Sequence, residues 1–310
     1  MFRLIFLVFL PKVLAMFRGM TIFEFTNRFK SNEDCYQYLL DIKWKEGFEC
    51  SKCKGSKCWK GKQWQNLRCK ECGYEESATA GTLFHKIKFP LLKAFHICYR
   101  VCVSKKGMSS NELSRELGLR QKTCWAFKRK IQQVMSSTEQ HPLKGSIDVD
   151  ECAIGGHDEQ KQGRSKGDKK LIVIAVERVG KGKIGRAYGV QIDNYSSKSL
   201  KGIFDKHIAR EDTKVRTDGW TGYEPLKAEW NIETIASNKG KNFPEMHTLI
   251  MLMKSWLRGI HHKCSSKHMQ AYLNEFFYRF NRRGFLKTMF HNLIEKMVQH
   301  APFYHKAFTT

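Results

Sequence analysis

Two short cysteine knuckles constrain this chain more than any other feature. Cys50 and Cys53 are spaced C-x2-C, Cys69 and Cys72 repeat that spacing, and fifteen residues separate the pairs. Thiolates are soft, anionic donors, and two knuckles at this separation predict a tetrahedral site for one structural Zn2+. A redox C-x-x-C needs a thioredoxin-like strand–helix setting, which the Gly- and Lys-rich residues 48–80 do not provide. Gly73 follows the second knuckle, where the chain must turn sharply. A module of about thirty residues buries too little surface to fold alone, so the metal would supply its folding free energy. Four thiolates also fill the tetrahedron, which leaves no open position for catalysis.

The other seven cysteines (Cys35, Cys58, Cys98, Cys102, Cys124, Cys152 and Cys264) form no disulfide framework. That usage belongs to a reducing compartment, and the expected location is cytoplasmic. Cys98 and Cys102 lie one helical turn apart in an apolar stretch and are expected in a core; Cys58 is an isolated, weaker rival for the metal. Lys and Arg total 55 against 30 Asp and Glu, a formal charge of +25. Such an excess is costly on a compact protein unless a polyanion neutralises it, and nucleic acid fits best. With a mean hydropathy of −0.50, no membrane association is expected. The apolar run Leu4–Leu10 ends at Pro11, far short of the ~20 residues of a spanning helix. No small-x-small cleavage site follows it, so residues 1–19 are expected to be an extension without structural weight.

The pattern then divides the chain. Residues 20–47 alternate apolar and charged positions at helical spacing, with Ser31 or Asn32 as a cap for the second helix. Residues 48–80 form the ribbon, 81–140 are helical, and 145–300 open on strand-like runs before turning helical beyond about Phe243. Lys161–Lys170 reads as a basic hairpin loop. The expected fold class is α+β in several domains: a zinc ribbon, a helical linker, and an α/β domain.

Met108–Val134 reads as two helices joined near Gly118. The second and its approach carry Arg120, Lys122, Lys128, Arg129 and Lys130, as a groove-entering helix would. The same pattern equally fits an ordinary basic helical hairpin.

The run SIDVDECAIGG puts Asp148 and Asp150 on one face of a strand, and the short VRTD ends in Asp218. Acids ending buried strands are costly unless they bind a cation or pair. Two of them, from separate strands, suit a two-metal phosphoryl-transfer site. Alone they fit turn residues or ion-pair partners as well.

From Phe23 to about His300 the chain resembles bacterial insertion-sequence transposases of family fifteen-ninety-five, a DDE-type group with an RNase H-like catalytic domain. The resemblance rests on the four-cysteine ribbon, AGTLFHKIKFPL at 80–91, DVDECAIGG at 148–156, RTDGWTGY at 216–223, and the block from Met246 to Arg283. It implies an RNase H-like domain over 145–300, with Asp150 and Asp218 as ligands of catalytic Mg2+ or Mn2+. It implies cleavage at the element's ends and attack of a 3′-hydroxyl on target DNA. The partners would be double-stranded terminal repeats and target DNA, and pairing two element ends favours a homodimer. Relatives carry Asn or Glu five residues after the block's histidine and, in the Asn branch, a lysine two further on. Here His247 and Lys254 match, but Leu252 stands between them. Leucine can neither bind a metal nor position water, so either the copy is catalytically decayed or a neighbour (Glu245 or His247) substitutes. His247, Met251, Lys254 and Arg258 share one helical face. His247 fits an uninvolved helix-start residue equally well. The aromatics of Tyr272–Arg283 are expected in a core, and its arginines facing phosphate.

Overall fold

The computed structural model describes residues 16–136, 141–155, 169–261 and 264–303. Its chain divides into two compact units. One holds residues up to Ser104, Ser110–Val134 and the chain from Phe285; the other holds Lys105–Ser109 and Met135–Gly284.

The first unit opens with two short helices whose starts are written in the sequence. α1 (Ile22–Arg28) begins at a capping box of Thr21 and Glu24, and α2 (Asn32–Lys43) at one of Ser31 and Asp34. Each satisfies amide donors that a helix start leaves unpaired. Residues 16–20 are not a weightless extension: Phe17 is buried against Phe25, Phe29 and Phe290, and its N–H donates to the Tyr38 hydroxyl at 3.3 Å. The expected boundary at Met20 therefore falls inside the packed unit; residues 1–15 lie outside the described residues.

A small antiparallel sheet follows, of β1 (Cys58–Lys60), β2 (Asn66–Cys69) and β3 (Glu75–Ser77). Then come α3 (Leu91–Val103), α4 (Ser110–Leu117) and α5 (Gln121–Val134). α3 is buried along most of its length, with Cys98 and Cys102 in the core as expected. Gly118 joins α4 to α5 at φ +60°, a backbone geometry glycine adopts without cost.

The second unit is built on a mixed five-stranded sheet of β4 (Leu143–Ile154), β5 (Lys170–Arg178), β6 (Ile184–Ile192), β7 (Ile208–Thr217) and β8 (Ile232–Thr234), in the order β6-β5-β4-β7-β8. The first three strands are antiparallel, whereas β7 and β8 run parallel to β4. This is the arrangement expected of an RNase H-like domain. The antiparallel β4–β5 ladder runs from Ile147–Glu177 to Ile154–Lys170, and most of the predicted basic hairpin loop lies outside the described residues.

Alternation sorts the sheet's two faces. Ile147, Val149, Val173 and Ala175 pack on α6 (Ser197–His207), whereas Cys152, Ile172, Ile174 and Val176 pack under α7 (Pro244–Ile260) and α8 (Ser266–Asn281). β5 is buried on both faces and so reads as the continuous apolar run LIVIAV. A Cβ at Gly189 would lie 2.3 Å from the Phe277 ring, so the missing side chain is what seats α8 on β6.

The last helix, α9 (Leu286–Gln299), belongs to the first unit, where it packs on α2, α3 and α5. The α/β domain thus ends near Gly284 instead of 300, because the buried face of α9 (Phe290, Leu293, Ile294, Met297) completes the core of the helical unit. Among the described residues no helix is long and apolar enough to cross a membrane.

Candidate functional site

The ribbon brings its four cysteines together as expected. The sulfurs of Cys50, Cys53, Cys69 and Cys72 all lie within 4.8 Å of one another. Cys50 and Cys72 are 3.6 Å apart and Cys53 and Cys69 3.5 Å, near the ~3.8 Å edge of a tetrahedron with Zn–S bonds of about 2.3 Å. The knuckles are built alike. Cys50 N–H donates to Gly55 O and Cys69 N–H to Tyr74 O, and each second cysteine is followed by a left-handed residue, Lys54 (φ +65°) and Gly73 (φ +70°). The backbone N–H groups of Cys53 and Lys52 lower the Cys50 thiol from its ordinary value, whereas the neighbouring sulfurs of Cys72, Cys69 and Cys50 raise that of Cys53. Cys58 faces Cys69 across the ladder but stays outside the sulfur cluster.

The second candidate centre lies in the sheet. The last parallel rung of β4 and β7 is Asp148–Arg216. Two residues further on in β4 comes Asp150, and two residues after Arg216, just past the end of β7, comes Asp218. Asp150 Oδ1 accepts the Glu151 N–H at 2.8 Å, and Asp218 Oδ1 accepts the Trp220 N–H at 3.1 Å. Both carboxylates and Glu151 bear on Tyr223, a buried residue of the 3-10 turn Thr221–Ala228. Burial pushes its phenol far above the ordinary value, and the charges of Glu151, Asp150 and Asp218 push it further. Carboxylate oxygens are the hard donors Mg2+ or Mn2+ takes, so this pair fits such an ion.

Asp148 is a different case from its strand neighbour. Fully buried, it accepts Arg216 Nε at 2.7 Å, Arg216 Nη2 at 2.9 Å and Arg178 Nε at 3.0 Å. Its oxygens are committed to two guanidinium groups, which makes it an internal counter-ion.

α7 lies over β4, beginning at Pro244 in its first turn. Burial pushes the Cys152 thiol up to about 12, against the pull of Lys254 and with the push of Asp150 and Glu151, so the lysine and the acids share a neighbourhood. Leu252 is 44% exposed. It stands about 200° from Lys254 around the helix. Its flank is that of Trp256, whose ring packs on Phe276 of α8. The two expected substitutes make contacts of their own. Glu245 Oε1 accepts the Gly182 N–H at 2.9 Å in the β5–β6 turn, toward the opposite end of β4 from Asp150. The ring of His247 lies against Gly240, where a Cβ would sit 2.5 Å from Nε2.

Comparison with known families bears on both centres. Residues 30–75 match the transposase zinc-ribbon domain, and residues 142–281 match the ISXO2-like transposase domain. Between them the two matches cover more than half of the chain. The chain belongs to the IS1595-type transposases. No curated protein matches it.

In this transposase the five cations expected to meet DNA are not equally placed. Arg120 and Lys122 are exposed at the start of α5. Lys128 and Arg129 are buried, Arg129 donating to Gln132 Oε1 at 2.8 Å, so neither is open to phosphate in this conformation. Lys130 is half-buried, and burial lowers its ammonium from the ordinary value. The arginines expected to face phosphate after α8 are also engaged: Arg279 donates to Lys105 O, Arg283 to Ile184 O and Gly185 O, and Arg282 lies over the Tyr278 ring. Long aliphatic stems let such residues bury while their heads find carbonyls, which a charge count does not reveal.

Tyr223 and Arg216 escaped the residue-level reading. Both sit in RTDGWTGY, and the parity of Arg216 with Asp218 on one strand was the available signal.

Proposed function

We propose that this transposase binds the terminal repeats of its insertion sequence as a homodimer and cuts and joins DNA strands at Asp150 and Asp218. The observation that carries the reading is that Asp150 of β4 and Asp218, just past the end of β7, both lie beyond the Asp148–Arg216 rung and both bear on the buried Tyr223. They would hold Mg2+ or Mn2+, which when bound supplies Lewis-acid stabilisation of the oxygens around the phosphorus. Lys254, on the flank of α7 that bears on the acids, offers a cation to a DNA phosphate. Arg120 and Lys122 remain the open cations of the α4–α5 hairpin for backbone contact. The charge of +25 favours a polyanionic partner in each of these steps.

A second reading is favoured by Leu252: a decayed copy that binds DNA and no longer cuts it. Strand cleavage and joining on the element's own repeats, with Mg2+ or Mn2+, separates the two. Metal-dependent products from wild type, abolished in Asp150→Ala, support the first reading. Retained repeat binding without products supports the second. Equal activity in wild type and Asp150→Ala would remove Asp150 from the site.

A further inference from the structure

Paired strands β1 and β2 set four residues on the outer face of the ribbon. Trp59 stands opposite Arg68, and Cys58 opposite Cys69. One step on, Lys70 N–H donates to Lys57 O, which continues the ladder. Alternation turns Cys69 inward, where it is buried, and leaves Lys57, Trp59, Arg68 and Lys70 outward. Trp59 is 60% exposed, with Lys70 Nζ 3.8 Å from its ring centroid.

The neighbouring carboxylates are occupied elsewhere. Glu76 is buried on Lys43 at 2.6 Å, Glu75 accepts from Lys62 N–H and Asn66 Nδ2, and Glu49 pairs with Lys54. Among the described residues no carboxylate forms an ion pair with Lys57, Arg68 or Lys70. Glu75 faces Arg68 across the β2–β3 ladder but accepts instead from Lys62 N–H and Asn66 Nδ2, and a large indole thus stands in water beside Lys57, Arg68 and Lys70. Its complement is a polyanion with an accessible π face. Duplex DNA offers phosphates and groove edges here but keeps its base faces in the stack, whereas an unpaired base presents its face.

We propose that the outer face of the β1–β2 hairpin is a single-strand site, in which Trp59 stacks on an unpaired DNA base while Lys57, Arg68 and Lys70 hold the flanking phosphates. The site would take a frayed or nicked strand end in preference to intact duplex. It deepens the DNA-acting reading above, yet it is read by binding alone, so strand transfer can fail without touching it, and the reverse.

The test uses full-length, zinc-loaded protein and a fluorescein-labelled oligonucleotide, single-stranded or annealed to its complement, titrated by anisotropy over a salt series. Trp59→Ala is expected to weaken single-strand binding by about 5- to 100-fold, with Trp59→Phe retaining most of it. Duplex binding should change less than about twofold, because no base face is available there. Arg68→Gln and Lys70→Gln should each lower the salt slope on single strands by about 0.7. Wild-type protein, for which folding is not in question, should cross-link a 5-iodouracil-substituted single strand at Trp59. Unchanged single-strand affinity in Trp59→Ala overturns the proposal. So does equal weakening on both substrates, or a wild-type cross-link map without Trp59.

Discussion

Arg216 closes on Asp148 through two hydrogen bonds, Nε to Oδ1 at 2.7 Å and Nη2 to Oδ2 at 2.9 Å, two residues before Asp150 in β4 and two before Asp218, which follows the end of β7. The fork ties β7 to β4 across a parallel pairing, and Arg178 of β5 ties in a third strand. A register slip of one residue would turn Asp218 to the opposite face, so this buried pair holds the two acids in step. Asp148→Ala should therefore cost about 3 kcal/mol, near the lower end for breaking a buried pair, because both guanidinium groups retain some access to water. Asp148→Asn, which keeps an acceptor, should cost less. Urea unfolding followed by circular dichroism measures both, and a loss below about 0.5 kcal/mol in Asp148→Ala would refute the locking role.

The ribbon should depend on its metal while the α/β unit does not, since each unit has a core of its own. Removing zinc with a chelator, or by Cys69→Ser, is expected to melt the segment around β1–β3 and leave the five-stranded sheet protected. Hydrogen exchange resolved by peptide distinguishes local from global loss. Cys58→Ser should retain one zinc per chain, because that thiol lies outside the cluster. Loss of zinc in Cys58→Ser would make it a ligand.

Much of this architecture was legible because it rests on short-range rules. Two C-x2-C knuckles fix four sulfurs wherever the chain carries them, and the alternation in SIDVDECA fixes which side chains share a face. Ser31 and Thr21 announce helix starts in the same local way. What the sequence concealed is long-range. Phe17 finds Phe290 far along the chain, and α9 leaves the α/β unit to complete a core begun near the N-terminus. Asp148 and Asp150 share a strand face and read alike, yet Asp148 meets two arginines while Asp150 bears on Tyr223, which only sheet order decides. Lys128 and Arg129 show the same limit, for formal charge does not report burial.

His207 should make stability fall in mild acid. Its ring stacks on Tyr188 at 4.5 Å, and burial, with help from Lys206, lowers its pKa from 6.5 to about 4. Below pH 6.5 the unfolded chain binds a proton the folded chain refuses, so stability rises with pH between about 4 and 6.5 and is complete above that window. This one group should cost about 2 kcal/mol between pH 7.5 and pH 5. Urea midpoints at the two pH values, in wild type and His207→Phe, isolate it. The same acid loss in both proteins would assign the effect elsewhere.

The two flanks of α7 make separable predictions. Lys254 lies on the flank that bears on Asp150, whereas Leu252 stands about 200° away and shares the side of Trp256. With α7 docked as it is, Leu252→Asn carries its amide away from Lys254 and should change metal-dependent strand cleavage by no more than about twofold. Lys254→Ala should lower cleavage by about 10- to 100-fold, somewhat less than removing a fully buried electrostatic donor, because the lysine is half-exposed. Repeat-binding affinity, measured alongside, keeps a loss of DNA contact apart from a loss of chemistry. An inactive wild type restored by Leu252→Asn would mean that α7 rotates when DNA binds and that the third position is the lesion. Equal cleavage in Lys254→Ala and wild type would move the phosphate-holding cation to another residue.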